Sequence, residues 1–409
     1  MFKVGKVLVL ALLVVGLCAP LALATTSRVQ ALAGASSYIN DDSDIFRWYG
    51  TLPSYSKMVM AEVGDTRFTD DGSYYQALGF THNWGEDHWL GTWGIFLLKN
   101  SIEDGSFYLF NPLYTLGLGA DHPSTKFALT WGKDLGAVSL GVMFTRSDIM
   151  LQLPGSSEED LDFMTLGAGV RWDVGEKMYA DLAATLGMSG GLFLETVGTD
   201  TLLVGFDGNI SYNFEGRLFY EFMDNATLVP FIGYRAADFS LEDADVAVSS
   251  GDKTSDVMLG ASLNFDVNTN NMLVFATEME FYNWEPSKKA TGDEQEFSAT
   301  VLPRFYVALE SDITSWFTAR VGATKTMVKF KIKNEDGDQI IFTDPRYFAL
   351  LDEISMDDFA WFLGGGFHVG EWDVDAVFDP SMPFRLGYWL TGYSDSTPPI
   401  GRVSATYRF

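Results

Sequence analysis

Thiols are almost missing from this chain: among 409 residues the one cysteine is Cys18, and it falls inside an apolar N-terminal leader. A chain cut after that leader has no disulfide, no cysteine nucleophile and no thiolate metal ligand. Long apolar runs are missing as well beyond the leader, so no later segment is suited to crossing a bilayer as a helix. Basic residues are scarce, 27 against 55 acidic ones for a net charge of -28, which argues against nucleic acid, whose phosphates require a basic surface. Histidine is sparse too. His82, His88, His122 and His368 stand in no paired-His motif, and phosphate loops and nucleotide fingerprints are also absent. The sequence therefore implies no cofactor, no metal site and no catalytic residue, and the chain is not expected to be an enzyme.

What is abundant points to strands. Forty Gly, 32 Phe, 17 Tyr and 11 Trp within a 47% hydrophobic composition exclude disorder. Tyr and Trp pair an apolar ring with a polar tip, which suits a membrane boundary. The first residues carry Lys3 and Lys6, then an apolar run from Val7 to Leu23, then Ala22, Leu23 and Ala24 in the pattern that precedes cleavage. Residues 1–24 read as a signal peptide, with Thr25 as the first mature residue. Leu17 before Cys18 argues against lipid anchoring.

Beyond residue 56 the apolar positions recur with period two. Phe127, Leu129 and Trp131 are followed by a turn and then by Val138, Leu140, Val142 and Phe144; the intervening positions include Ala128, Thr130, Gly132, Ser139, Gly141 and Thr145. Met164, Leu166, Ala168, Val170 and Trp172 form the next strand, and Met178, Ala180, Leu182, Ala184 and Leu186 the one after it. Phe206 to Phe222 keeps a single phase and reads as one long strand. Short turns are expected at Gly175, Asp224 to Ala226, Asp266 to Asn270, Glu310 to Asp312 and Gly370 to Glu371. Long loops are expected at 99–125, 147–160, 188–203, 238–253, 284–294, 333–358 and 379–399, so that long and short connections alternate. The chain is then all-β, a transmembrane antiparallel up-and-down barrel of about sixteen strands, within bounds of about 14 to 18. Hydrocarbon offers no hydrogen bonds, so a chain without membrane helices must close its sheet to cross.

The last ten residues alternate in the same way, and the closing pair Tyr407 and Phe409 resembles the terminal strand of bacterial outer-membrane β-barrels, where such a tail is read by the barrel-insertion machinery. The resemblance covers roughly residues 57–409. Residues 25–56 lack strand periodicity. Their small-residue stretch, acidic cluster at Asp41, Asp42 and Asp44, and aromatics resemble the N-terminal plug of the long-chain fatty-acid transporter family, with Arg47, Trp48, Tyr49 and Gly50 in place of that family's Asn-Pro-Ala turn. The resemblance implies three regions: a signal peptide (1–24), a plug or periplasmic segment (25–56) and an outer-membrane barrel (57–409). It also implies outer-membrane lipid and lipopolysaccharide as surroundings.

On the phase opposite the lipid face stand Arg171, Asp173, Asp181, Asp207, Glu215, Arg217, Glu221, Glu278, Glu280, Arg304, Arg320, Lys329, Lys331, Asp373 and Asp375. These residues either pair as ladders that stiffen a wet lumen or form a selectivity filter. An apolar solute site is expected from Ile45, Phe46 and Trp48 with Phe107, Tyr108, Phe110 and Tyr114 of the first long loop. The functional expectation is a channel or transporter for small solutes, hydrophobic ones among the candidates. A general porin with a charged lumen, homo-oligomeric by analogy, and a structural or adhesive barrel without transport are the alternatives.

Overall fold

A computed structural model of the chain describes residues 26–65, 74–84, 89–99, 126–151, 159–197, 200–243, 249–285, 296–333, 339–342, 359–379 and 400–409. The expected signal peptide, the 100–125 stretch with Phe107, Tyr108, Phe110 and Tyr114, and most of the 379–399 loop lie outside these residues.

Alternation of lipid-seeking and polar side chains produces a run of antiparallel strands. They are β1 (Met58–Asp65), β2 (Tyr74–Asn83), β3 (Thr92–Lys99), β4 (Lys126–Asp134), β5 (Val138–Leu151), β6 (Glu159–Gly175), β7 (Met178–Val197), β8 (Asp200–Met223) and β9 (Ala226–Asp243). There follow β10 (Ser249–Asn268), β11 (Asn271–Glu285), β12 (Glu296–Thr314), β13 (Phe317–Lys333), β14 (Gln339–Phe342), β15 (Phe359–Val369), β16 (Trp372–Phe378) and β17 (Ile400–Arg408). Each strand pairs with the next, and β17 returns to β1 from Met58↔Arg408 to Gly64↔Arg402. β13 pairs with both β14 and β15, so β14 is a short addition at the loop end and sixteen strands close the ring. Closure leaves no unpaired edge for hydrocarbon to strand.

Exposure follows the period-two pattern. In β8, Ile210, Tyr212, Phe214 and Tyr220 are exposed, whereas Ser211, Asn213, Glu215, Arg217 and Phe219 are buried inside. Leu78, Leu97, Leu166, Leu182 and Ile232 are likewise exposed on the outer face. At the short-turn end aromatics gather: Trp372 lies 4.6 Å from Tyr407, Trp316 stacks on Phe367 at 6.2 Å, and Phe409 stacks on His82 at 5.8 Å. An apolar outer wall with an aromatic girdle and a polar interior is the construction that a bilayer requires of strands.

Three expected long loops and one expected turn are corrected. The 188–203 stretch is not a long loop: β7 and β8 continue through it as one ladder to Val197↔Asp200. Its Phe193, Thr196, Val197, Thr201 and Val204 favour strands, and nothing obliges a strand to end at the bilayer surface. The 147–160 and 238–253 loops shrink in the same way, to the connections between Leu151 and Glu159 and between Asp243 and Ser249. The turn expected at Glu310 to Asp312 lies at Ser315 and Trp316 instead, because β12 runs on to Thr314 across an irregularity after Asp312.

Candidate functional site: the interior of the barrel

Residues 26–56 carry no strand alternation and lie inside the ring. They form the short helix α1 (Thr26–Ala31) and two 3-10 turns, Asp42–Phe46 and Tyr49–Tyr55. The first 3-10 turn is held by a capping box, in which Asp41 accepts from the Ser43 amide and Asp44 accepts from the Asp41 amide. Between them these residues touch all sixteen strands of the ring.

Glycine makes the fit possible. Lumen-facing Gly132, Gly141, Gly167, Gly169, Gly260, Gly322 and Gly364 sit at six different strands, and a Cβ on any of them would press into residues 26–56. At Gly141 it would stand 1.8 Å from the Tyr49 carbonyl oxygen, and at Gly260 2.0 Å from the Tyr38 hydroxyl. The wall has given up side chains where the segment approaches.

The interior holds the segment by apolar clusters and by ion pairs. On β1 to β5, Met58, Met60, Ala77, Phe96, Leu98, Ala128 and Met143 form an apolar cluster buried against Ile45, Phe46, Tyr49 and Leu52, with Glu62 and Lys126 buried on the same strands. Phe46 meets Phe96 edge to face at 5.0 Å. A second apolar cluster joins Tyr38 and Trp48 to Phe219, Val229, Phe231, Met258 and Tyr306 of β8 to β12. Between and around these clusters lie ion pairs, most of them from β6 onward, for which the segment supplies partners. Arg217, fully buried, donates to Asp181 at 2.9 Å, to Asp44 at 2.5 Å and to the carbonyls of Ser36 and Ile39 at 2.9 Å, with its guanidinium 4.4 Å from the Trp48 ring. Arg171 grips Asp181 with two bonds of 2.7 Å. Glu215 accepts from Arg47 at 2.5 and 2.9 Å and from Arg235 at 3.0 Å. Arg28 forks onto Glu310 at 2.7 and 2.8 Å and reaches Asp41 at 3.1 Å, while Arg320 joins Glu310 at 2.6 Å and bonds Asp375. Tyr38 donates to Glu278 at 3.0 Å, and Arg304 meets Glu278 and Glu280 at 3.1 and 3.5 Å. Glu62 accepts from Thr26 and faces Arg402 at 3.5 Å.

These are bidentate, shared pairs in which charge is met by charge on both sides, the arrangement that offsets the cost of burial. In the segment itself two carboxyls are held against ionisation: burial pushes Asp44 up to about 6 despite Arg217, and burial with Asp41 alongside pushes Asp42 well above the ordinary range. Neither carboxyl oxygen of Asp42 has a hydrogen-bond partner among the described residues.

Of the sequence-expected lumen residues, Arg171, Asp181, Glu215, Arg217, Glu278, Glu280, Arg304, Arg320 and Asp375 are in these networks, and Asp373 bonds His368. Asp173 and Glu221 are exposed near the short turns. Asp207 lies on β8 and Lys329 and Lys331 on β13; the side chains of these three are outside the description. Ile45, Phe46 and Trp48 are buried inside the ring. Tyr407 and Phe409 lie at the girdle, and the Phe409 amide donates to the Lys57 carbonyl at 3.0 Å. Sequence reasoning missed Arg28, Arg47, Glu62, Asp256 and Glu310. Glu62 and Asp256 stand on the inward phase of recognisable strands and could have been found there; Glu310 was hidden by the misplaced turn.

The chain is thus a closed sixteen-stranded membrane barrel, an outer-membrane architecture, with its own N-terminal residues inside the sheet. No protein-family model matches the chain, and no curated protein matches its sequence. Among solved structures it is similar to the toluene transporter TbuX of Ralstonia pickettii, at 10% identity over 94% of this chain and 98% of that one, with a TM-score of 0.38. It is also similar to a Pseudomonas aeruginosa FadL homologue, at 12% identity over 94% and 98% with a TM-score of 0.42. A third is the CymD monoaromatic hydrocarbon channel, at 11% identity over 94% and 97% with a TM-score of 0.38.

Proposed function

We propose that the protein is an outer-membrane channel for small hydrophobic solutes, and that residues 26–56 act as a plug that denies the lumen to ions and sugars. One observation carries the reading: Met60, Phe96, Leu98, Ala128 and Met143 form an apolar cluster on the β1 to β5 part of the inner wall, beside the buried Glu62 and Lys126, and an interior serving only hydrophilic solutes has no use for such a cluster. The ion pairs favour the same reading, because Glu215, Arg217 and Glu310 are spent on holding the segment and are not presented to a permeant ion.

The test is uptake through a lipopolysaccharide outer leaflet, which retards apolar solutes, in cells with and without the barrel. Toluene, named as cargo for the Ralstonia barrel, serves as the probe. The expected result is faster toluene entry with no gain for a disaccharide, and loss of the gain in Phe96→Asp. A steady ion current in planar bilayers would instead favour the general porin, and absence of both uptake and current the structural role.

A further inference from the structure

The outer wall carries an apolar groove of about 630 Å³ over β4 to β9. Two neighbouring cross-strand rows create it. One runs Val142, Ala168, Ala184, Phe214 and Tyr234; the next runs Leu140, Val170, Leu182, Gly216 and Ile232. Ala168, Ala184 and Gly216 form the floor, while Leu182, Phe214 and Ile232 protrude as walls, each more than half exposed. At one margin Trp131 is fixed by its indole N–H, which donates to the Leu90 carbonyl at 2.9 Å. Glu215 borders the groove only from within, its carboxylate turned inward to Arg47 and Arg235.

Leu182 and Ala184 stand four and six positions beyond Met178, the first residue of β7. At about 3.3 Å per residue and a tilt of about 40°, that is roughly 10–15 Å above the short-turn end. The groove therefore opens into hydrocarbon, in the leaflet on the short-turn side, and is continuous with the lipid-facing wall. We infer that it is a binding site for one acyl chain of a phospholipid from that leaflet. Its volume falls within the ~300–1,000 Å³ of small-molecule sites, and its walls offer a chain contacts on three sides where a flat barrel face offers one. A second copy of the barrel is the poorer occupant, because a two-fold contact sets groove against groove and encloses a void. The inference stands independently of what the lumen carries.

Native mass spectrometry after exhaustive detergent exchange tests it on the whole protein. The wild type is expected to keep one phospholipid per barrel, and the groove-filling double variant Ala184→Phe/Gly216→Leu to keep at least tenfold less while retaining the gel mobility of a folded barrel. Equal retention by the variant, no retention by the wild type, or a mass of two barrels without lipid would overturn the site. If the filled variant does not fold, titrating mid-chain-brominated phosphatidylcholine into the detergent-solubilised wild type decides: the part of the quenching that is absent in Trp131→Phe saturates at about one lipid per barrel if a chain lies in the groove, and a part that only rises in proportion to added lipid refutes it.

Discussion

Gly141→Ala adds one methyl group where the wall meets the backbone of the inner segment at Tyr49. Its Cβ would lie 1.8 Å from the Tyr49 carbonyl oxygen and 2.4 Å from the carbonyl carbon. Ordinary contact begins near 3.4 Å, so Tyr49 must retreat by about 1.5 Å, and backbone cannot yield as a side-chain tip does. Tyr49 is tied to Thr185 at 2.8 Å and is packed in the same cluster as Phe46 and Leu52, so the retreat disturbs the whole turn. Overpacking of this kind costs about 1–3 kcal/mol. The β5 ladder loses nothing, since alanine keeps the backbone bonds to β4 and β6, and the cost falls on the seating of residues 26–56. At tenfold per ~1.4 kcal/mol the unseated fraction should rise roughly 5- to 150-fold. Planar-bilayer recording reads this as frequency of transient openings. Gly175→Ala, where an added Cβ meets nothing within 4 Å, is the control and should match the wild type. An opening frequency in Gly141→Ala equal to that of the control would refute the reasoning.

Arg217→Met leaves Asp44 and Asp181 buried with a lost partner and should cost about 3–5 kcal/mol in denaturant titrations, whereas Lys177→Ala, which breaks only the exposed pair with Asp224, should leave the midpoint unmoved. Ile232→Arg puts a charge on the lipid face and should cost about 2–4 kcal/mol of bilayer stability, measured by reversible folding into vesicles. For pH the sign follows from Asp42 and Asp44, whose folded pKa values are raised, Asp44 to about 6. The contribution of Asp44 to seating is fully present below the ordinary carboxyl value of about 4 and is lost as pH rises through 6, and that of Asp42 is lost in the same direction. Openings should therefore become more frequent from pH 4 to 7, with a flatter profile in Asp44→Asn; a frequency that falls with pH would contradict the assignment.

The strands were legible because a lipid-facing wall imposes alternation: from Ile210 to Tyr220 β8 keeps one phase, although an irregularity between Phe206 and Ile210 interrupts the single phase expected over Phe206 to Phe222, and Arg171, Asp181, Glu215 and Arg217 fell on the inward face by counting alone. Strand ends were less legible. Residues 188–203 carry the same apolar content whether they loop or extend, and their partner strand decides. The partners of the inward charges could not be read at all. Arg28, Arg47 and Asp44 lie in a segment without periodicity, and nothing local to them sets their register against Glu310, Glu215 and Arg217. The glycine cradle was half visible: Gly132 and Gly141 appeared as small inward residues, but what they make room for is fixed only when the chain folds back on itself.

Placement of residues 26–56 inside the sheet underlies every statement about the interior, and an engineered disulfide tests it most directly. A Cβ on Gly322 would stand 2.8 Å from the Ala33 Cβ. Disulfides need about 3.8 Å, so a shift of about 1 Å allows the bond. No cysteine exists beyond Cys18 to compete. The double variant Ala33→Cys/Gly322→Cys in intact membranes should oxidise to near completion, give a faster-running band on non-reducing gels and suppress openings until reductant is added. Two free thiols that react fully with a membrane-impermeant maleimide would place the segment elsewhere.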